Sequence, residues 1–197
     1  MSIILPGAPS FVSCTPRLIS SSNDLKSPVG NIKQRILRLG DMFAADIVMP
    51  PMPKATADKW FSKLMQGARS TVVFDWPLPD AGVGNPGTPL VKGAGQTGVL
   101  LVIDGFTAGY QIKDGQFFSL IQGGRRYLHM ATADVTASGA GQATVSFLPM
   151  LRVSPSDNAV VEFAAPKIEG LIQADDVRAP LAVDHIVNLA FSIEEQR

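Results

Sequence analysis

From Gly98 to Lys167 the chain reads as one short strand and turn after another, which limits the fold more than any other feature. Val99 to Ile103 is an apolar run that Asp104-Gly105 is expected to end. Gln116 to Ile121 and Arg126 to Met130 are strand-like runs joined through Gly123-Gly124. A two-residue primed turn needs positive φ, which glycine adopts freely, so the pair predicts a hairpin. Ala143 to Phe147 alternates as a half-buried strand that Pro149 stops, and Val160 to Phe163 follows the turn-forming Ser154 to Asn158. Five short strands in this space predict a small barrel or sandwich.

The rest of the chain is thinner in signal. Residues 1–31 are rich in Ser, Pro and Gly without sustained periodicity and read as an extended N-terminal arm, partly ordered against a neighbour. Ile32 to Leu39, broken at Gly40-Asp41, is expected to form a hairpin with Phe43 to Met49, where Asp46 points away from the apolar positions. Pro50, Pro51 and Pro53 forbid further ladder pairing. One helix is expected, with Thr56 as N-cap, Asp58 near the positive end of the dipole and Gly67 as stop. Its stripe of Ala57, Trp60, Phe61, Leu64 and Met65 is expected to cover the sheet of its own domain. Thr71 to Trp76 is another strand, and 80–96 reads as a linker or long surface loop. A final alternating segment, Ile186 to Ile193, has no module of its own to join and is expected to return to the first sheet. The organisation is then 1–84 as the first part of one domain, 85–165 as an inserted β-module, and 166–197 as the returning strand.

Composition narrows the function classes. The chain has 197 residues, enough to bury roughly 70% of its unfolded surface. Charged residues make up 17%, below the ~25% usual for soluble domains, so much of the apparent surface is expected to be interface. Seventeen basic and seventeen acidic residues cancel, leaving no footprint of a nucleic-acid binder. The densest basic stretch, Lys33 to Arg38, reads as a solvated strand face. Cys14 is the single cysteine, which excludes an intrachain disulfide and a cysteine-based zinc site. Phe11-Val12-Ser13-Cys14 faintly suggests a lipoprotein cleavage box, but no basic residue precedes it and Pro6 and Pro9 interrupt it. No apolar run approaches the ~20 residues of a membrane helix, and the expectation is a soluble chain made in the cytoplasm.

No motif carries catalysis. Gly82, Gly84, Gly87 and Gly93, Gly95, Gly98 both match G-x-G-x-x-G, but no expected helix follows either, so a dinucleotide site is rejected. His129 and His185 lack the i,i+4 partner of a zinc helix and read as structural. Asp175-Asp176 and Glu194-Glu195 are expected to be solvated, and Arg125-Arg126 to keep a hairpin edge soluble. The expectation is therefore a non-enzyme without catalytic, cofactor-binding or metal-binding residues and without a cofactor.

The run Gly115 to Ser119, Gly123-Gly124-Arg125-Arg126-Tyr127-Leu128-His129, Thr132 to Ala137, Gly139 to Phe147 and Pro149-Met150-Leu151-Arg152 resembles a pattern in tail proteins of long-tailed bacteriophages. It is similar to the distal tail and minor tail families over about residues 95–170, in structural motifs only. The resemblance implies a mainly β protein with one short helix. In it, a β-sandwich or split-barrel ring domain carries an inserted OB-like or galectin-like β-barrel. It further implies a homohexameric ring at the tail tip of the virion, whose partners are its own copies, the tail tube protein and the baseplate hub, with neither nucleic acid nor membrane. The alternative is a carbohydrate-binding or other host-recognition module, with Phe117, Phe118 and Tyr127 as candidate sugar-stacking aromatics. A cell-wall hydrolase would need two carboxylates roughly 5 to 9.5 Å apart in a supporting context, and the sequence offers none.

Overall fold

A computed structural model describes residues 2–7, 10–26, 30, 33–36, 38–78, 83–173 and 186–196, and its fold is mainly β with one helix. The N-terminal strands are β1 (Ile3–Ile4), β2 (Ser13–Ile19), β3 (Asn23–Lys26) and β4 (Lys33–Ile36). β5 (Met42–Val48) and β6 (Met52–Pro53) precede α1 (Lys54–Gly67), and β7 (Val72–Asp75) follows it. Next come β8 (Gly87–Val91), β9 (Leu100–Phe106), β10 (Gln111–Ile112) and β11 (Phe117–Gln122). β12 (Arg125–Ala131), β13 (Val135–Thr136), β14 (Ala143–Leu148) and β15 (Val161–Glu162) continue the series. β16 (Lys167–Ile172), β17 (Ile186–Val187) and β18 (Ala190–Glu195) end it.

Two six-stranded sheets organise these elements. The first runs β1-β7-β16-β18-β5-β2 and the second β15-β11-β12-β14-β9-β8. In the second, a bridge between Leu90 and Val160 brings the two end strands together, so the sheet curls into a nearly closed barrel. Phe118 stacks on Phe163 at 4.8 Å inside it and meets Phe147 edge-on at 5.7 Å. The β11–β12 hairpin turns at Gly123 and Gly124, with φ of 60° and 77°, as the primed turn requires. In the first sheet β18 lies between β16 and β5, while β17 pairs with β6. α1 lays Ala57, Trp60 and Leu64 against the core around Phe74 and Phe191.

Several expectations change. The stretch read as an arm contributes β1, parallel to β7, and β2, paired with β5 along its whole length. Its pattern was silent because β2 is a largely exposed edge strand, which imposes no alternation. Of the segment expected to pair with β5, the described strand Lys33–Ile36 does not do so. β4 pairs with β3, and the β3–β4 hairpin prolongs the β2–β5 pair beyond the sheet. Asp104-Gly105 does not end its strand: β9 runs on to Phe106, and a register shift beside Gly105 (φ 75°) accommodates β8. β8 itself lies in the stretch read as a loop. Thr56 is not the N-cap. The helix begins at Lys54 behind Pro53, whose φ of −59° suits a helix start, and no side chain caps it. Phe61 and Met65 are 36% and 38% exposed, so the buried stripe is narrower than its apolar pattern.

Gly170 shows how tightly β16 and β18 meet. A Cβ there would lie 2.0 Å from the Glu194 carbonyl oxygen, a backbone atom that cannot swing aside. Gly170→Ala is therefore expected to destabilise by about 1–3 kcal/mol or more, as overpacking does. Chemical denaturation measures this, and an unchanged midpoint would refute the close approach.

Candidate functional site

The seam between the two sheets is built from carboxylates that stand in for a missing strand. β12 pairs with β11 along its length, but with β14 only at Met130 and Ala131. The N–H groups of Arg126 and Leu128 face the same side, since residues two apart in a strand do. Glu169 accepts the first at 3.0 Å and Glu195 the second at 2.8 Å. Glu195 also accepts the Phe43 N–H at 3.3 Å, so one carboxylate ties β12 to β5. Arg152 completes this cluster: its Nη2 lies 2.6 Å from Glu195 Oε1, and its guanidinium sits 5.1 Å over the Tyr127 ring. On the other flank, Ser119 Oγ donates to Glu162 at 2.9 Å and accepts the Lys167 N–H at 3.2 Å. Arg126 Nε reaches Glu162 at 3.2 Å, and Ser2 Oγ hydrogen-bonds Glu169.

These contacts correct the reading of Glu194-Glu195. Glu194 does meet solvent beside Arg17, but the next side chain along is buried. Burial lifts the Glu195 carboxyl from 4.5 to about 7, outweighing Arg152 and the two N–H donors. Arg126 does not serve as a solvated edge cation: its N–H donates to Glu169 and its Nε reaches Glu162. His129 is structural: Nδ1 bonds the Pro149 carbonyl at 2.9 Å, and burial lowers its pKa to about 3, keeping it neutral. His185, Asp175 and Asp176 lie outside the described residues. No helix follows Gly93, Gly95 and Gly98. Among the described residues no cluster of three His, Cys, Asp or Glu could hold a metal, and no helix is long and apolar enough to cross a membrane.

Beside the seam lies an open apolar groove of about 620 Å³, lined by Phe11, Cys14, Trp76, Leu78 and Phe117 together with the polar Lys113, Asp114 and Gln116. Its floor is aromatic: Phe117 lies 4.9 Å from Trp76 and 5.3 Å from Phe43. Burial raises the Cys14 thiol to about 11, with Asp46 adding to the effect. Of the three aromatics considered for sugar stacking, Phe118 and Tyr127 are buried and only Phe117 reaches this groove.

The third feature is the β3–β4 hairpin. Every residue of both strands is exposed. The register pairs Leu25 with Gln34 and Asn23 with Ile36, which puts Asn23, Leu25, Gln34 and Ile36 on one face. The opposite face carries Asp24, Lys26, Lys33 and Arg35, with Arg35 bound to Asp24 through Nε and Nη2 at 2.7 and 2.9 Å. An amphipathic two-stranded ribbon whose strand residues are all exposed is marginal in water.

The Glu195 and hairpin features escaped the sequence reading for different reasons. A glutamate in an alternating strand at a chain end resembles a solvated one, and its acceptor role appears only once β12 lies across it. The alternation in Asn23 to Lys26 is too short to read. Compared with known proteins, the chain matches no family model, and no curated protein is similar to it.

Proposed function

We propose that this chain is a structural ring subunit of a bacteriophage tail tip, a distal tail protein joining the tail tube to the baseplate hub. The observation that carries the reading is the β3–β4 hairpin, whose strand residues are all exposed and which a neighbouring subunit would steady. The resemblance of Gly115 to Arg152 to tail proteins and the low charge density point the same way. The carboxylates of the seam support it too, since main-chain N–H groups, hydroxyls and guanidinium groups occupy them and bind one compartment to the other. The carbohydrate-binding alternative retains one favourable observation, Phe117 beside Gln116 and Asp114 in the groove.

Mass photometry of the purified chain, alone and with tail tube and hub proteins, tests the reading. Rings of about six subunits are the expected result, as closed cyclic assemblies are for heterologous contacts. A strict monomer without affinity for either partner would contradict it. A glycan array separates the alternative, because a pure ring subunit binds no sugar.

A further inference from the structure

At Glu195 three elements of the seam share a single titratable group. Oε1 accepts the Leu128 N–H of β12 at 2.8 Å and stands 2.6 Å from Arg152 Nη2, while Oε2 accepts the Phe43 N–H of β5 at 3.3 Å. The two oxygens are therefore unequal: one meets a cation and a short bond, the other a single long bond. A proton entering the site goes to the less engaged Oε2. That oxygen then becomes a donor facing the Phe43 N–H, which is a donor too, and the bond between them is lost.

The neighbouring charges leave this group in control. Arg152 faces Glu195 from the turn after Pro149 and also holds the Gln196 carbonyl at 3.3 Å. β12 sets Tyr127 beneath the guanidinium and His129, which burial keeps neutral, near it. Arg126 of β12 turns to Glu162, and Glu169 of β16 is engaged by the Arg126 N–H and Ser2. Asp46 of β5 and Glu194 of β18 lie on the other face of the sheet with Arg17.

We propose that Glu195 is a proton-operated latch: ionised, it clamps the start of β5 to β12, and protonated, it releases Phe43 while keeping Leu128 and Arg152. The clamp matters to the barrel because the Phe43 ring packs 5.3 Å from Phe117 of β11 and 6.2 Å from Trp76. Burial holds the Glu195 carboxyl at about 7, so the Phe43 tie is present above that value and lost as pH falls through it. The sign for the whole chain is the opposite. Because the folded value lies above the ordinary 4.5, the proton relieves a buried charge and overall stability grows on acidification. A local tie that weakens while the fold strengthens is the signature of the latch. It belongs to the single chain and holds whether or not the chain assembles into rings.

Amide hydrogen exchange in the full chain, with intrinsic rates divided out, reads the tie at about pH 5.5 and about pH 8.5, either side of the titration. Protection of the Phe43 N–H is expected to be about tenfold lower at the acid value, the difference between a neutral and a charge-assisted bond. The Leu128 N–H should change less. Glu195→Gln, which cannot ionise, should show the same Phe43 protection at both values. Should that variant fail to fold, Arg152→Met with Glu195→Gln strands no charge and serves the same purpose. Phe43 protection that is flat with pH in the wild-type chain overturns the latch, as does a pH dependence that survives in the variant. Equal losses at Phe43 and Leu128 also overturn it, because they report the whole seam opening.

Discussion

Arg152→Ala is expected to cost about 3–5 kcal/mol of stability, because it leaves a buried carboxylate without its cation. The two side chains are 7% and 0% exposed, so water cannot replace the guanidinium. The loss carries a pH signature. The Glu195 carboxyl stands at about 7 in the folded chain against 4.5 ordinarily, so folding takes up a proton. Its contribution to stability is thus most favourable below 4.5 and declines as pH rises to about 7, on the order of 3 kcal/mol in all. Without Arg152 the folded value climbs further and the window extends upward. The deficit of the variant should therefore be larger at about pH 9 than at about pH 5, as read by urea denaturation at each. Equal deficits at both would remove the account. Arg152→Met combined with Glu195→Gln should recover much of the loss, since no charge is stranded.

Trp60→Ala is the second large effect, at about 3–5 kcal/mol for truncating a buried aromatic. The indole is 1% exposed, packs 6.3 Å from the Phe191 ring, and joins α1 to the first sheet. For a chain of this size the midpoint should fall by roughly 10 °C. An unchanged midpoint would mean that the helix does not cover the sheet as the packing requires.

Five of the six barrel strands were legible because each carries its own local signal, whereas β8 lay in the Gly- and Pro-rich stretch read as a loop. Gly123 and Gly124 specify the primed turn, Ala143 to Phe147 alternates, and prolines and glycines punctuate the rest. The Trp60 and Leu64 stripe of the helix was legible through its 3.6-residue period, whereas its start was not, because Pro53 replaces a side-chain cap. The pairing of β2 with β5 was hidden by the nested β3–β4 hairpin, which moves the partner of β5 nearly thirty residues upstream. Strand identity depends on a few neighbouring residues, whereas strand partnership depends on segments far apart in the chain.

The candidate surfaces divide the same way. Residue order alone determined a mainly β chain with one amphipathic helix and a Gly-Gly hairpin, since turn chemistry and periodicity act over a handful of residues. Tertiary structure decided that Glu169 and Glu195 would accept the spare N–H groups of β12, and that Phe11, Cys14, Trp76 and Phe117 would share a groove. It also decided that Leu25 and Ile36 would face outward. The physical reason is burial: a carboxylate becomes a buried acceptor, or an aromatic a groove wall, only when distant segments exclude water around it.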